Sequence, residues 1–187
     1  MVTDARRTDT RAQIREVALE LFAERGYDGT SLREIAERLG ITKAAVYYHY
    51  KTKEEIVGAL FDDFLAGVDE IVEWAQDKGP GPETRSEVIR RYQALLTGPS
   101  AAQVARLMQE GQSSLRDVAA AKDMKARFFA MSRAVVDPDA SAADQMRMRL
   151  AVIALHLGAF MDQESLPVSA EERQAAALEV ALELAGG

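Results

Sequence analysis

The chain has 187 residues, no cysteine, two histidines and a formal net charge of −7. That length holds one sizeable core or a small module joined to a larger one, and the lack of cysteine removes disulfides, thiolate metal sites and cysteine nucleophiles. No stretch combines a basic start, an apolar run and a small-residue cleavage site, and no apolar segment reaches bilayer length, so the chain reads as soluble, unprocessed and cytosolic, with no membrane partner.

Apolar residues recur at helical spacing nearly throughout, and no alternating β-branched run bounded by turns occurs, so the fold class read from the sequence is all-α. Residues 1–9 are polar and expected to fray. In the first helix Ile14, Val17, Ala18, Leu21 and Phe22 make one stripe, and Gly26 lies just past its end. Ser31 and Glu34 stand in capping-box spacing before a short second helix whose inner face is Leu32, Ile35, Ala36 and Leu39. Gly40 ends that helix. Thr42 is placed to cap a third short helix with Val46 and Tyr50 inward, and Thr52 with Glu55 makes a further capping box. A long fourth helix follows, carrying Ile56, Val57, Leu60, Phe61, Phe64, Leu65, Val68, Ile71 and Val72. Gly79-Pro80-Gly81-Pro82 breaks the chain, and further helices are expected near 83–97, 100–114, 116–136, 141–163 and 169–185.

The charge divides with this organisation. Residues 1–53 carry ten Lys or Arg against eight Asp or Glu, a net of +2, which leaves −9 for residues 54–187. The expected domains are accordingly a three-helix head over 1–53 and a helical body over 54–187. A slightly basic head on an acidic body suits approach to a polyanion by one end.

Two short helices joined by a glycine turn, with a first helix as third wall, form a unit whose second short helix enters a DNA major groove. Its outward candidates are Thr42, Lys43, Ala44, Tyr47 and Tyr48. Thr42 and Lys43 sit at a helix N-terminus that favours an anion, and Lys43 has the alternative of reading guanine O6 or N7. Ala44 permits close approach and contact with a thymine methyl. Tyr47, Tyr48 and His49 offer donors to the groove walls, Lys53 a phosphate contact on one side, and Thr30, Ser31 and Arg33 the same on the other. Arg33 also stands in i, i+4 spacing with Glu37.

The run Gly26-Tyr27-Asp28-Gly29-Thr30-Ser31-Leu32-Arg33-Glu34-Ile35-Ala36, continuing through Leu39-Gly40-Ile41-Thr42-Lys43-Ala44-Ala45-Val46-Tyr47-Tyr48-His49-Tyr50-Lys51-Thr52-Lys53, resembles the DNA-binding domain of TetR-family regulators over roughly residues 10–57. Tyr50 departs from the phenylalanine often found there, and its hydroxyl needs solvent or a partner. The resemblance implies a repressor, dimeric through its last two helices, whose body binds a small molecule that changes the spacing of the two heads. Beyond residue 83 it extends only to helix count and order.

In the body, Phe61, Phe64, Trp74, Tyr92, Met108, Phe128, Phe129, Met131, His156 and Phe160 are the candidates to line a cavity for a small, hydrophobic ligand, although such residues at helical spacing also serve as plain core. His156 reads first as a satisfied core histidine and second as a ligand-orienting group. The helix near 141–163 carries two apolar seams, Met146, Leu150, Ile153, Leu157, Phe160 and Met148, Val152, Leu155, Ala159. The last helix carries Ala175, Leu178, Leu182, Ala185 and Ala177, Val180, Ala181, Leu184. That excess of apolar faces points to a symmetric homodimer through Leu150, Ile153, Leu157, Leu178 and Leu182, with two heads reading a palindromic operator in double-stranded DNA. No HExxH, GxSxG, GxxxxGK or GxGxxG is present, so neither catalysis nor a cofactor or metal is expected. The competing function is a helical interaction protein anchored by Tyr47 and Tyr48.

Overall fold

The computed structural model describes residues 2–109, 119–160 and 167–186, with side chains over 10–105, 126–160 and 167–186. Among these, all regular structure is helical: α1 (Val2–Arg25), α2 (Leu32–Leu39), α3 (Lys43–His49), α4 (Lys53–Lys78), α5 (Pro82–Leu96), α6 (Pro99–Gln109), α7 (Ala119–Ala134), α8 (Ala142–Phe160) and α9 (Ala170–Gly186). The protein is all-α. Helix α1 runs from Val2 through the stretch read as frayed; Ala5, Arg6 and Arg7 are good helix formers and no Gly or Pro interrupts them.

The chain divides into two compact units, one of residues 1–63 with 103–121 and the other of 64–102 with 122–187. The expected boundary after residue 53 falls at the start of α4, whose first part through Asp63 belongs to the first unit and the remainder to the second.

In the first unit, Ile14, Ala18, Leu21 and Phe22 of α1, Ile35 and Ala36 of α2, Val46 of α3 and Ile56, Val57 and Leu60 of α4 are buried. Val17 is only half-buried and Leu19 is buried instead. Gly26 has φ 77° after α1, and Gly40 has φ 67° after α2, its amide N–H reaching the carbonyls of Ala36 and Glu37. A left-handed cap of this kind needs a residue without Cβ strain, and it makes the α2–α3 turn tight. Tyr50 is buried, and its hydroxyl accepts from Arg11 Nε at 3.1 Å, which supplies the partner its burial requires.

In the second unit α8 and α9 pack antiparallel. Met148, Leu184 and Ala185 line a common gap at one end, and Gly158 meets Ala177 and Arg173 at the other. A Cβ built on Gly158 would stand 2.3 Å from Ala177 Cβ, so the two backbones approach closely only because these residues are small. This contact corrects the two stripes read on the last helix. Its buried apolar positions are Ala181 and Ala185, one from each stripe, while Ala175 and Val180, again one from each, are exposed. Close packing selects the small residues at i, i+4 rather than the leucines, and Leu178 and Leu182 are half-buried.

Helix α8 separates as its two seams imply. Met148, Val152 and Leu155 are buried, whereas Met146, Leu150, Ile153, Leu157 and Phe160 are 43–52% exposed.

Candidate functional site

The site is built by caps. Ser31 Oγ accepts the Glu34 amide N–H at 3.3 Å, and Glu34 Oε2 accepts the Ser31 amide N–H at 2.8 Å, a reciprocal box that fixes the start of α2. Thr42 Oγ1 accepts the Ala45 amide N–H at 3.2 Å and starts α3. With Val46 buried inward, helical geometry turns the opposite face of α3 outward, and Thr42, Lys43, Ala44, Tyr47 and Tyr48 are all exposed there. The Lys43 ammonium lies 5.2 Å over the Tyr47 ring, and Tyr48 meets the half-buried His49 edge to face at 5.2 Å.

The flanking residues have partners within the first unit, and one of them is placed against its sequence role. Thr30 is 3% exposed and its hydroxyl donates to the carbonyls of Leu21 or Gly26, so its side chain holds the α1–α2 turn and is not open to a phosphate. Ser31 is exposed, with its hydroxyl engaged by Glu34. Arg33 is exposed and pairs with Glu37 at 2.8 Å; a pair this open to water contributes little to stability and yields readily to a phosphate. Lys53 is half-buried. Its ammonium meets the Tyr27 carbonyl oxygen at 2.5 Å and lies 4.3 Å over the Tyr27 ring, while the Tyr27 hydroxyl donates to Glu54 at 2.6 Å. Burial and the Glu54 carboxylate push the Tyr27 hydroxyl well above its ordinary value, and that hydroxyl holds Glu54 below the usual carboxylate range. Tyr27, Lys53 and Glu54 thus tie the start of α4 to the end of α1 within the first unit.

Glu55 Oε2 accepts from the Lys51 amide N–H rather than from Thr52, while Thr52 Oγ1 accepts from the Glu55 amide N–H, so the expected box is shifted by one residue. Lys51 itself is a residue the sequence reading missed. It is exposed, and its ammonium meets the Tyr47 carbonyl oxygen at 2.5 Å, where the C-terminal end of α3 attracts a cation. Its position directly after the inward Tyr50 was the available signal.

In the second unit the structure brings four of the cavity candidates together. His156 has Tyr92 at 5.5 Å, Phe128 at 4.8 Å and Phe160 at 6.0 Å between ring centroids. Tyr92 is fully buried and its hydroxyl bonds His156. Phe64 and Met131 are buried, and Phe61 is buried in the first unit. Trp74 is half-buried under the Arg91 guanidinium at 4.1 Å, and Phe129 is 41% exposed. The Met108 side chain lies outside the described residues. Among the described residues no cluster of three acidic or histidine side chains is placed to hold a metal ion, and no helix is long and apolar enough to cross a membrane.

Comparison with known proteins places this geometry. The model of the family described as bacterial regulatory proteins, tetR family, matches residues 14–60, which contain α2, α3 and the start of α4. The regulator AcrR of Shigella flexneri is 37% identical over 73 residues, 39% of this chain and 34% of its own length, so the chain spans about a third of that curated relative. Among solved structures, a transcriptional regulator of the TetR/AcrR family from Thermobifida fusca is 30% identical, with 93% of this chain and 97% of that one covered and a TM-score of 0.50. A regulatory protein of the tetR family from Rhodococcus is 25% identical, with 94% and 96% covered and a TM-score of 0.55.

Proposed function

The chain belongs to the TetR family of bacterial regulatory proteins, and from this we infer that it is a cytoplasmic transcriptional repressor that grips a palindromic operator as a homodimer. The observation that carries the reading is the outward face of α3. Lys43, Ala44, Tyr47 and Tyr48 are exposed together on one short helix held by an N-terminal cap and by the buried Val46 and Tyr50. Lys43 and Ala44 are the base-reading residues, and Tyr47, Tyr48, His49, Lys51, Arg33 and Lys53 hold phosphates. Ser31 serves mainly by presenting the first amides of α2.

The exposed seam of α8 supports the dimer, because five large apolar side chains in one row are costly to leave in water. A two-fold axis through it gives two heads and hence a palindromic site. The aromatic group around His156 supports a small, largely hydrophobic effector held by the body. Such an effector acts only through unequal affinity for the DNA-competent and DNA-incompetent shapes. Footprinting on the DNA upstream of the protein's own coding region tests the proposal: an inverted repeat is expected to be protected, and uniform cleavage across that region, together with no sequence enriched from a random duplex pool, overturns it.

A further inference from the structure

One feature of the second unit plays no part in DNA contact or in the aromatic cluster. A half-open groove with a volume of about 270 Å³ runs between the end of α7 and the first half of α8, lined by Arg133, Val136, Asp137, Pro138, Gln145 and Arg149. Its two guanidinium groups form no ion pair among the described residues, whereas the neighbouring Arg127 and Arg147 are paired with Asp69 and Asp144. The carboxylate in the lining, Asp137, accepts the Asp139 amide N–H at 2.9 Å. Arg149 also lies 5.8 Å over the exposed ring of Phe129.

The position of Arg149 joins this groove to a larger surface. It follows Met146 by three residues and precedes Ile153 by four, so on a helix it stands in the exposed row of Met146, Leu150, Ile153, Leu157 and Phe160. An occupant that covers the row also closes over Arg149, and a guanidinium enclosed in an apolar contact needs a carboxylate. A small anion alone would satisfy the charge and leave the row in water. The chain carries a complementary face. Along the outer edge of α9, Glu172, Glu179 and Glu183 are exposed on one stripe with Val180, and Glu179 and Glu183 form no ion pair among the described residues.

We propose that the groove is the charged end of a surface that receives a second copy of this chain, with Arg133 and Arg149 taking carboxylates from the outer edge of α9 of that copy. The inference rests on the homodimer proposed above and adds what fixes its pairing. Apolar rows associate with little discrimination, while charges matched across the contact set register and exclude wrong partners.

Sedimentation equilibrium on the full chain tests the inference, with far-UV circular dichroism to establish that each variant is folded. The wild-type chain is expected to be a dimer at micromolar concentration and Leu157→Glu a monomer. Arg149→Glu is expected to weaken the dimer at least tenfold, Arg149→Gln to weaken it less, and adding Glu179→Arg or Glu183→Arg to Arg149→Glu to restore most of the loss. A monomeric wild-type chain overturns the dimer itself. A dimer broken by Leu157→Glu but unchanged by Arg149→Glu, or one that neither reversal restores, overturns the charge pairing alone. If inorganic phosphate raises the melting temperature of Leu157→Glu only while Arg149 is present, the groove is a small-anion site and the pairing is likewise overturned.

Discussion

The Tyr92 hydroxyl lies 2.7 Å from His156 Nε2, and Nδ1 of the same ring lies 3.0 Å from the Val152 carbonyl oxygen. A carbonyl only accepts, so Nδ1 carries the proton, and because burial disfavours the doubly protonated ring, Nε2 is the acceptor at neutral pH and Tyr92 donates. The ring is therefore neutral and satisfied on both sides. Burial pushes His156 below its ordinary value of 6.5, a shift that the Val152 bond opposes in part.

From that depressed value the pH dependence follows. As pH falls below 6.5 the unfolded chain takes up a proton on this ring before the folded chain does, so folding stability declines until the folded value is passed. Above 6.5 the group contributes no slope. Urea denaturation between about pH 7.5 and pH 5.5 is expected to show the decline in the wild-type chain and a shallower one in His156→Gln. Equal slopes in the two proteins would remove His156 as the cause. At neutral pH, Tyr92→Phe leaves Nε2 without its partner and is expected to cost about 1–3 kcal/mol.

Lys43 and Lys53 are expected to separate under binding-site selection. Lys43 is exposed at the start of α3, and Lys43→Ala should relax preference at one operator position at a cost of about 1–3 kcal/mol. Lys53→Ala should weaken all duplexes alike. Because Lys53 also lies against Tyr27, its loss should in addition lower head stability by about 0.5–1 kcal/mol. Thermal denaturation reads this second effect, which should be smaller in Lys43→Ala because the ring under Lys43, Tyr47, is exposed whereas Tyr27 is buried. An unaltered sequence preference in Lys43→Ala would remove its base-reading role.

Gly158→Leu is expected to force α8 and α9 apart, because even a Cβ there would stand 2.3 Å from Ala177 Cβ and 3.1 Å from the Arg173 carbonyl oxygen. Overpacking of this kind costs about 1–3 kcal/mol in chemical denaturation. Gly158→Ala should cost less, and part of that cost should return on adding Ala177→Gly, since the second change clears the nearest atom. Full stability in Gly158→Leu would mean that the helices are not held at this distance.

The head was legible because its signals are local. Ser31 with Glu34, Gly40, Thr42 and the inward pair Val46 and Tyr50 each act within one turn of helix, and the structure has each where the spacing put it. What the sequence concealed depends on contacts between distant segments. The Thr30 hydroxyl is taken by the Leu21 and Gly26 carbonyls, and Lys53 is drawn to Tyr27, 26 residues earlier. In the body the two seams of α8 were readable from period alone, but the inward face of α9 was not. Gly158 on its neighbour admits Ala177 at one end, and the small Ala181 and Ala185 are buried one and two turns further on while the bulkier side chains are turned aside.

Titration of the wild-type chain onto the inverted repeat selected by footprinting, followed by fluorescence anisotropy across a range of salt concentrations, addresses DNA recognition itself. The expected result is a preference for the repeat over a scrambled duplex of the same composition, with one dimer per duplex. Affinity should fall by about a thousandfold or more between roughly 50 and 200 mM salt as phosphate contacts are screened. Equal affinity for repeat and scrambled duplexes at every salt concentration, or binding indifferent to salt, would contradict operator recognition through the outward face of α3.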